Sequence, residues 1–182
     1  MTDTPFEIVP FNPSYSRATF NSASEPLNQY LRERSSQDIR RRIASCFVAL
    51  TDDQQIAGYY TVASASLPLD ELPASTVRKM PRYPTVPAIR MGRLAVDQAY
   101  AGRGLGAALL GDALQRSASA EIAAFALIVD AKDEAAAAFY RHHGFVTLPE
   151  GPLKLFFPLT TVVQTPLRKR TTPTLFSTRE TD

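Results

Sequence analysis

The stretch Arg93–Leu110, RLAVDQAYAGRGLGAALL, decides how this chain folds. An apolar run ends near Val96, Gly102, Gly104 and Gly106 crowd into the next few residues, and Ala107-Ala108-Leu109-Leu110 has the composition of a helix start. Glycines let a backbone come close to an anion and take conformations that a Cβ forbids. The first turn of a helix then offers unpaired N–H groups and a positive dipole end, and Arg103 can add a charge-assisted contact. A P-loop would need Gly-Lys-Ser/Thr, which is absent. A Rossmann fingerprint would need a different last spacing than Gly102-Arg103-Gly104-Leu105-Gly106 has. The segment reads as strand, phosphate loop and helix, the other reading being a glycine-rich turn with no ligand.

Working outward, Phe6–Phe11 reads as a short strand, and Ser24-Glu25-Pro26 as a helix start in which Ser24 can cap and Pro26 fits the first turn, with Leu27, Tyr30 and Leu31 on its buried stripe. A second helical stretch crosses Ser35–Arg41. Ile43–Leu50 and Ile56–Ala65 make an antiparallel hairpin. Leu67 to Pro87 holds Pro68, Pro73, Pro81, Pro84 and Pro87, which predicts a long loop with at most a short helix near Leu69–Lys79. Ala88–Val96 is a strand, Gly104 to Ser117 a helix, Ile122–Asp130 a central strand and Lys132–His143 an alanine-rich helix stopped at Gly144. Phe145–Thr147 and Leu153–Phe157 close the sheet. The order β-α-α-β-β-β-α-β-α-β-β predicts an α/β protein with a mixed sheet and helices on both faces. Residues 1–164 form one domain, and the threonine-rich segment 165–182 is expected to be a loose tail.

Composition narrows the function. With 182 residues, 45% hydrophobic and 21% charged, the chain suits one globular domain. Cys46 is the single cysteine, so an internal disulfide and a multi-cysteine zinc site are excluded, and its apolar neighbours mark it as a buried small hydrophobe. No run is long enough to span a bilayer, and MTDTPFEIVP has no secretory pattern, so a cytoplasmic location is expected. The charge is unevenly spread. Arg32, Arg34, Arg40, Arg41 and Arg42 outweigh Glu33 and Asp38, while Arg78, Lys79, Arg82, Arg90, Arg93 and Arg103 face Asp97 alone. Such segments either attract a polyanion or form solvated faces.

The glycine segment resembles motif A of the GNAT superfamily, Arg/Gln-x-x-Gly-x-Gly/Ala: Gly104-Leu105-Gly106 fit, and Ala101 stands where the consensus has Arg or Gln. DAKDEAAAAFYRHHGF (Asp130–Phe145) resembles motif B. The resemblance implies a mostly antiparallel sheet with acetyl-CoA as cosubstrate and no metal. The diphosphate would rest on Arg103, Gly104, Leu105, Gly106 and Ala107. The strand before the loop would bulge and splay from its neighbour, as in other GNAT enzymes, and the pantetheine arm would lie in a slot lined by Leu94, Ala95 and Val96, with the Val96 N–H polarising the thioester carbonyl. It also implies that Tyr140 protonates the departing thiolate; as a plain helix aromatic the same residue would pack beside Phe139. A dedicated base is not required, because an α-amino group with a pKa of ~7.7–8.0 is partly neutral at cellular pH. His142 and His143 read as residues at the surface of a helix end.

FNSASEPLNQYLRERSSQD (Phe20–Asp38), GYYTVASASL (Gly58–Leu67) and PRYPTVPAIRMGRLAVD (Pro81–Asp97) resemble the GNAT toxins of bacterial toxin–antitoxin pairs, although Ala23 replaces the usual glycine. That likeness implies acetylation of the α-amino group of an aminoacyl-tRNA, a block of translation, a homodimer and a ribbon-helix-helix antitoxin. Arg78, Lys79, Arg82, Arg90 and Arg93 are the residues expected to meet tRNA, whose binding would depend on salt; ion pairs within the protein are the other use for Arg90 and Arg93. Two further readings remain at this point: a GNAT enzyme acting on a protein N-terminus, polyamine or drug, and a non-catalytic CoA-binding or interaction module.

Overall fold

A computed structural model describes residues 6–162, so the domain boundary expected at 164 and the segment beyond it lie outside the described residues. Seven strands form one sheet in the order β1 (Glu7–Pro10), β2 (Ser45–Leu50), β3 (Ile56–Pro68), β4 (Thr85–Val96), β5 (Ala126–Asp130), β7 (Lys154–Pro158), β6 (Val146–Thr147). Every neighbouring pair is antiparallel except β4 and β5.

Adjacent strand residues point to opposite faces, which sorts the core. Tyr60, Met91, Leu127 and Val129 face α4 (Leu105–Ala118) and α5 (Glu134–His142), which bury Leu105, Leu109, Leu110, Ala113 and Ala137 against them. On the other face Tyr59 and Val48 meet Phe20, Tyr30 and Leu31. Tyr30 and Leu31 belong to the helical run α1 (Glu25–Gln29), a π-turn (Tyr30–Arg34) and α2 (Ser35–Arg40), and Phe20 precedes it. That same face continues across Ala88, Ala126, Ile128 and Phe156, where Leu69 and Leu72 of the β3–β4 connection cover it. The second face therefore carries two separate covers with an opening between them.

Three expectations need correction. The proline-rich stretch is less of a loop than proline content suggests: β3 runs through Pro68 and β4 begins at Thr85, leaving α3 (Ala74–Val77) in a shortened connection. Pro87 is tolerated inside β4 because its carbonyl accepts from the Phe125 N–H at 2.7 Å. Its nitrogen therefore faces the side where pairing with β5 starts only at Ala88, and no ladder bond is lost. The central strand starts at Ala126 rather than Ile122, which is 86% exposed. Ser24 begins α1 without a side-chain cap, its carbonyl accepting from Leu27 and Asn28 instead.

Candidate active site

The site is built on one irregularity of β4. Thr61 pairs with Arg93, but Val62 pairs with Met91, so Gly92 is the extra residue of a β-bulge. Pairing with β5 stops at the same level, Met91 with Val129 being the last pair, and the two strands then separate. Two hydrogen bonds show what the bulge does to the backbone. The Pro87 carbonyl faces β5, while the Asp97 N–H donates to the Ala57 carbonyl on β3 at 2.8 Å. In an unbroken strand these odd-numbered residues would share a side. Beyond Gly92 the odd residues thus face β3, and Leu94 and Val96 turn their N–H and C=O groups toward the gap left by β5.

At the end of β4 the chain makes a 3-10 turn, Gln98–Tyr100, held by the Asp97 carboxylate accepting from the Ala99 N–H at 2.9 Å. Gly102 and Gly104 follow with φ of 74° and 79°. A Cβ at either would meet nothing within 4 Å, so glycine is required there by conformation and the space above both is open. Gly104 precedes α4 and offers no side-chain cap. The first helical bond runs from Ala108 to Gly104, which leaves the N–H groups of Leu105, Gly106 and Ala107 pointing out of the helix end. The Arg103 guanidinium lies 5.7 Å from the Tyr100 ring. Unblocked amides, glycines with clear space and an open strand edge leading to them fit a diphosphate carried on an extended arm.

Tyr140 lines a cleft of about 400 Å³ with Leu27, Gly92, Leu94, Ala131 and Ala136. Its ring packs on Phe139 and Phe145, and burial pushes its phenol up to about 12. The hydroxyls of Tyr30, Tyr59 and Tyr60 are used by Asp38, the Leu27 carbonyl and Asp112. The Tyr140 hydroxyl has no hydrogen-bond partner among the described residues and is not sealed from the cleft. Packing and chemistry are therefore compatible at Tyr140.

A second cleft of about 540 Å³ shares Pro26, Leu27, Met91, Gly92, Arg93 and Asp130 with the first and adds Tyr30, Arg34 and Arg90. Arg93 lies over the Tyr30 ring, 3.5 Å from its centroid, and Arg90 is ion-paired with Asp130. Arg90 and Arg93 are thus brought together. Arg78, Lys79 and Arg82 are exposed in the β3–β4 connection and line neither cleft. Sequence reasoning overlooked Arg34 and Asp130 as site residues and did not place the bulge at Gly92, although a glycine inside a strand is the usual mark of one. Neither His142 nor His143 lines either cleft.

Residues 11–145 match the acetyltransferase (GNAT) family. The chain belongs to this family. As a GNAT protein it is an acetyl-CoA-dependent N-acetyltransferase. A tRNA-acetylating toxin of Mycobacterium tuberculosis is 38% identical over 139 residues, which are 75% of this chain and 82% of that one. Among solved structures, AtaT complexed with acetyl-methionyl-tRNAfMet has a TM-score of 0.80 and 30% identity, covering 86% of this chain and 96% of that one. A tyrosine-to-phenylalanine mutant of AtaT bound to the C-terminus of the antitoxin AtaR and acetyl-CoA has a TM-score of 0.71 and 26% identity, covering 86% and 94%. Among the described residues no helix is long and apolar enough to cross a membrane, and no cluster of metal-binding side chains occurs.

Proposed function

We propose that this GNAT enzyme acetylates the α-amino group of an aminoacyl-tRNA and so acts as the translation-blocking toxin of a toxin–antitoxin pair. One observation carries the reading: the gap between β4 and β5 joins the cleft of Tyr140 to a cleft lined by Arg34, Arg90 and Arg93. A tRNA acceptor end is polyanionic and carries its amine at the tip. Cations on one side of the sheet and the acyl-transfer groups on the other suit such a substrate better than a small neutral amine. The likeness to a tRNA-acetylating toxin and to AtaT with its acetylated tRNA supports the same acceptor.

Acetyl-CoA supplies the acetyl group as a thioester. In this reading the N–H groups of Leu105, Gly106 and Ala107, with Gly104 and Arg103, hold the diphosphate, and Leu94–Val96 hold the pantetheine arm along the open edge of β4. The Val96 N–H donates to the acyl oxygen as negative charge builds there. Once the acceptor ammonium has lost a proton to solvent, the amine attacks the acyl carbon and the C–S bond breaks. Tyr140 Oη, a protonated phenol at neutral pH, hands its proton to the leaving sulfur, and the proton shed by the new amide nitrogen returns to the tyrosinate. Arg34, Arg90 and Arg93 receive phosphates, with Arg78, Lys79 and Arg82 as a further basic surface outside the two clefts. The likeness to AtaT bound to AtaR supports a proteinaceous antitoxin; that it is of the ribbon-helix-helix kind, that the toxin is a homodimer and that it works in the cytoplasm belong to the same proposal. The test is to incubate the protein with radiolabelled acetyl-CoA and total charged tRNA. Label should enter the aminoacyl ester of one or a few isoacceptors, and label found only on protein or polyamine would overturn the reading.

A further inference from the structure

Asp130 is the last residue of β5 and stands where β4 and β5 part. Its backbone is held on the far side by pairing with Lys154 on β7, and the Ala131 N–H that follows donates to the Leu153 carbonyl at 2.7 Å. Its side chain, 51% exposed, projects from the sheet face that also carries Arg90 and Arg93. It lines both clefts, and it is the one carboxylate among the residues lining either. Oδ2 pairs with Arg90, while Oδ1 accepts no hydrogen bond from the described residues. An exposed ion pair of this kind contributes little to folding, so stability alone is a weak reason for an acid in an otherwise basic cleft.

The chemistry of the acceptor supplies a stronger one. A free α-amino group has a pKa of ~7.7–8.0, so at neutral pH it arrives mostly as a cation in a cleft that repels cations. We infer that Asp130 is the counter-ion that receives the α-ammonium of the acceptor, with Arg90 positioning its carboxylate and leaving Oδ1 for the incoming N–H. This rests on the aminoacyl-tRNA reading and adds the atom that distinguishes a charged tRNA from an uncharged one. It also gives product release a cause: acetylation removes the positive charge, and the amide has nothing to offer Asp130 but a neutral N–H.

The test is binding without acetyl-CoA at pH 6, using the isoacceptor that takes label in the assay above in three forms: aminoacylated, deacylated and N-acetylated. The wild-type protein should hold the aminoacylated form about tenfold more tightly than the other two, the size expected of one charge-assisted hydrogen bond. Asp130→Asn should bring all three forms to one affinity while acetyl-CoA binding, measured by calorimetry, stays unchanged. An aminoacyl preference that survives Asp130→Asn overturns the inference and leaves the tRNA reading intact. The absence of label in every isoacceptor ends both. Should Asp130→Asn fail to fold, Asp130→Ser carries the same comparison, since a half-exposed position at a strand end accepts a small polar side chain.

Discussion

Arg90 and Arg93 stand on the same face of the sheet although they are three positions apart. A regular strand sends such residues to opposite faces, and the extra residue Gly92 reverses the alternation between them. Val86 and Ala88 before the bulge and Ala95 after it pack on that face, while Met91, Leu94 and Val96 turn to the other. One inserted glycine thereby gathers two guanidinium groups in one cleft and turns the Val96 amide to the strand's open edge.

If that cleft receives phosphates, the Arg34→Gln/Arg93→Gln double variant should reduce the slope of log Kd against log salt for tRNA by about one for each phosphate left without its cation. Both side chains line the cleft, and neither has an ion-pair partner among the described residues. Filter binding across a salt series measures this; an unchanged slope would remove the cleft from the tRNA path.

Tyr140→Phe keeps the aromatic packing against Phe139 and Phe145 and deletes only the unpartnered hydroxyl. Transfer should fall by about 10²–10⁴-fold, growth arrest on expression should be relieved, and acetyl-CoA affinity should stay within twofold or so of wild type because binding rests on the α4 end. Toxicity that persists in this variant takes Tyr140 out of the reaction.

Gly104→Glu should abolish acetyl-CoA binding in calorimetry. It places a carboxylate where the diphosphate is proposed to lie, and the left-handed conformation adds about 1–2 kcal/mol of strain for any residue with a Cβ. Gly104→Ala separates the two effects: it carries the strain without the charge and should weaken binding only partly.

Gly58 tests how closely α4 is seated. A Cβ there would stand 2.8 Å from Leu109 Cδ1 and 3.0 Å from the Ala95 carbonyl oxygen. Backbone cannot yield as a side chain does, so Gly58→Ala should cost about 1–3 kcal/mol, read as a lower midpoint in urea, and should weaken cofactor binding by displacing the helix that carries Leu105–Ala107.

Alkali should unfold the protein at lower denaturant concentration. Burial raises the Cys46 thiol from 9.0 and the Tyr140 phenol from 10.0, each to about 12, and raises Tyr30, Tyr59 and Tyr60 as well. Because the folded-state values lie above the unfolded ones, this stabilisation is complete below about pH 9 and fades as pH climbs toward 12. Urea midpoints followed with tyrosinate absorbance should be level from pH 7 to 9 and fall above it. A level midpoint to pH 11 would mean that these groups ionise without opening the core.

Much of this was legible in the amino-acid order, because local rules govern it. The turn at Gly102–Gly106 is readable since only glycine takes positive φ without cost, and α5 since an alanine run ends at Gly144, whose φ of 92° is left-handed. Tyr140 could be placed by its neighbours in the chain. Proline counting failed at Pro68 and Pro87, because a proline interrupts a sheet only if its nitrogen faces a paired strand, and hydropathy failed at Ile122, because an apolar residue is buried only where something covers it. Only the tertiary structure decided that Arg34 joins Arg93, that Arg78, Lys79 and Arg82 line neither cleft, and that Asp130 lies at the mouth of the gap. Those relations depend on which strand lies beside which and where the pairing stops, and a bulge at Gly92 is settled by the partner strand Thr61–Val62 more than by the residues around it.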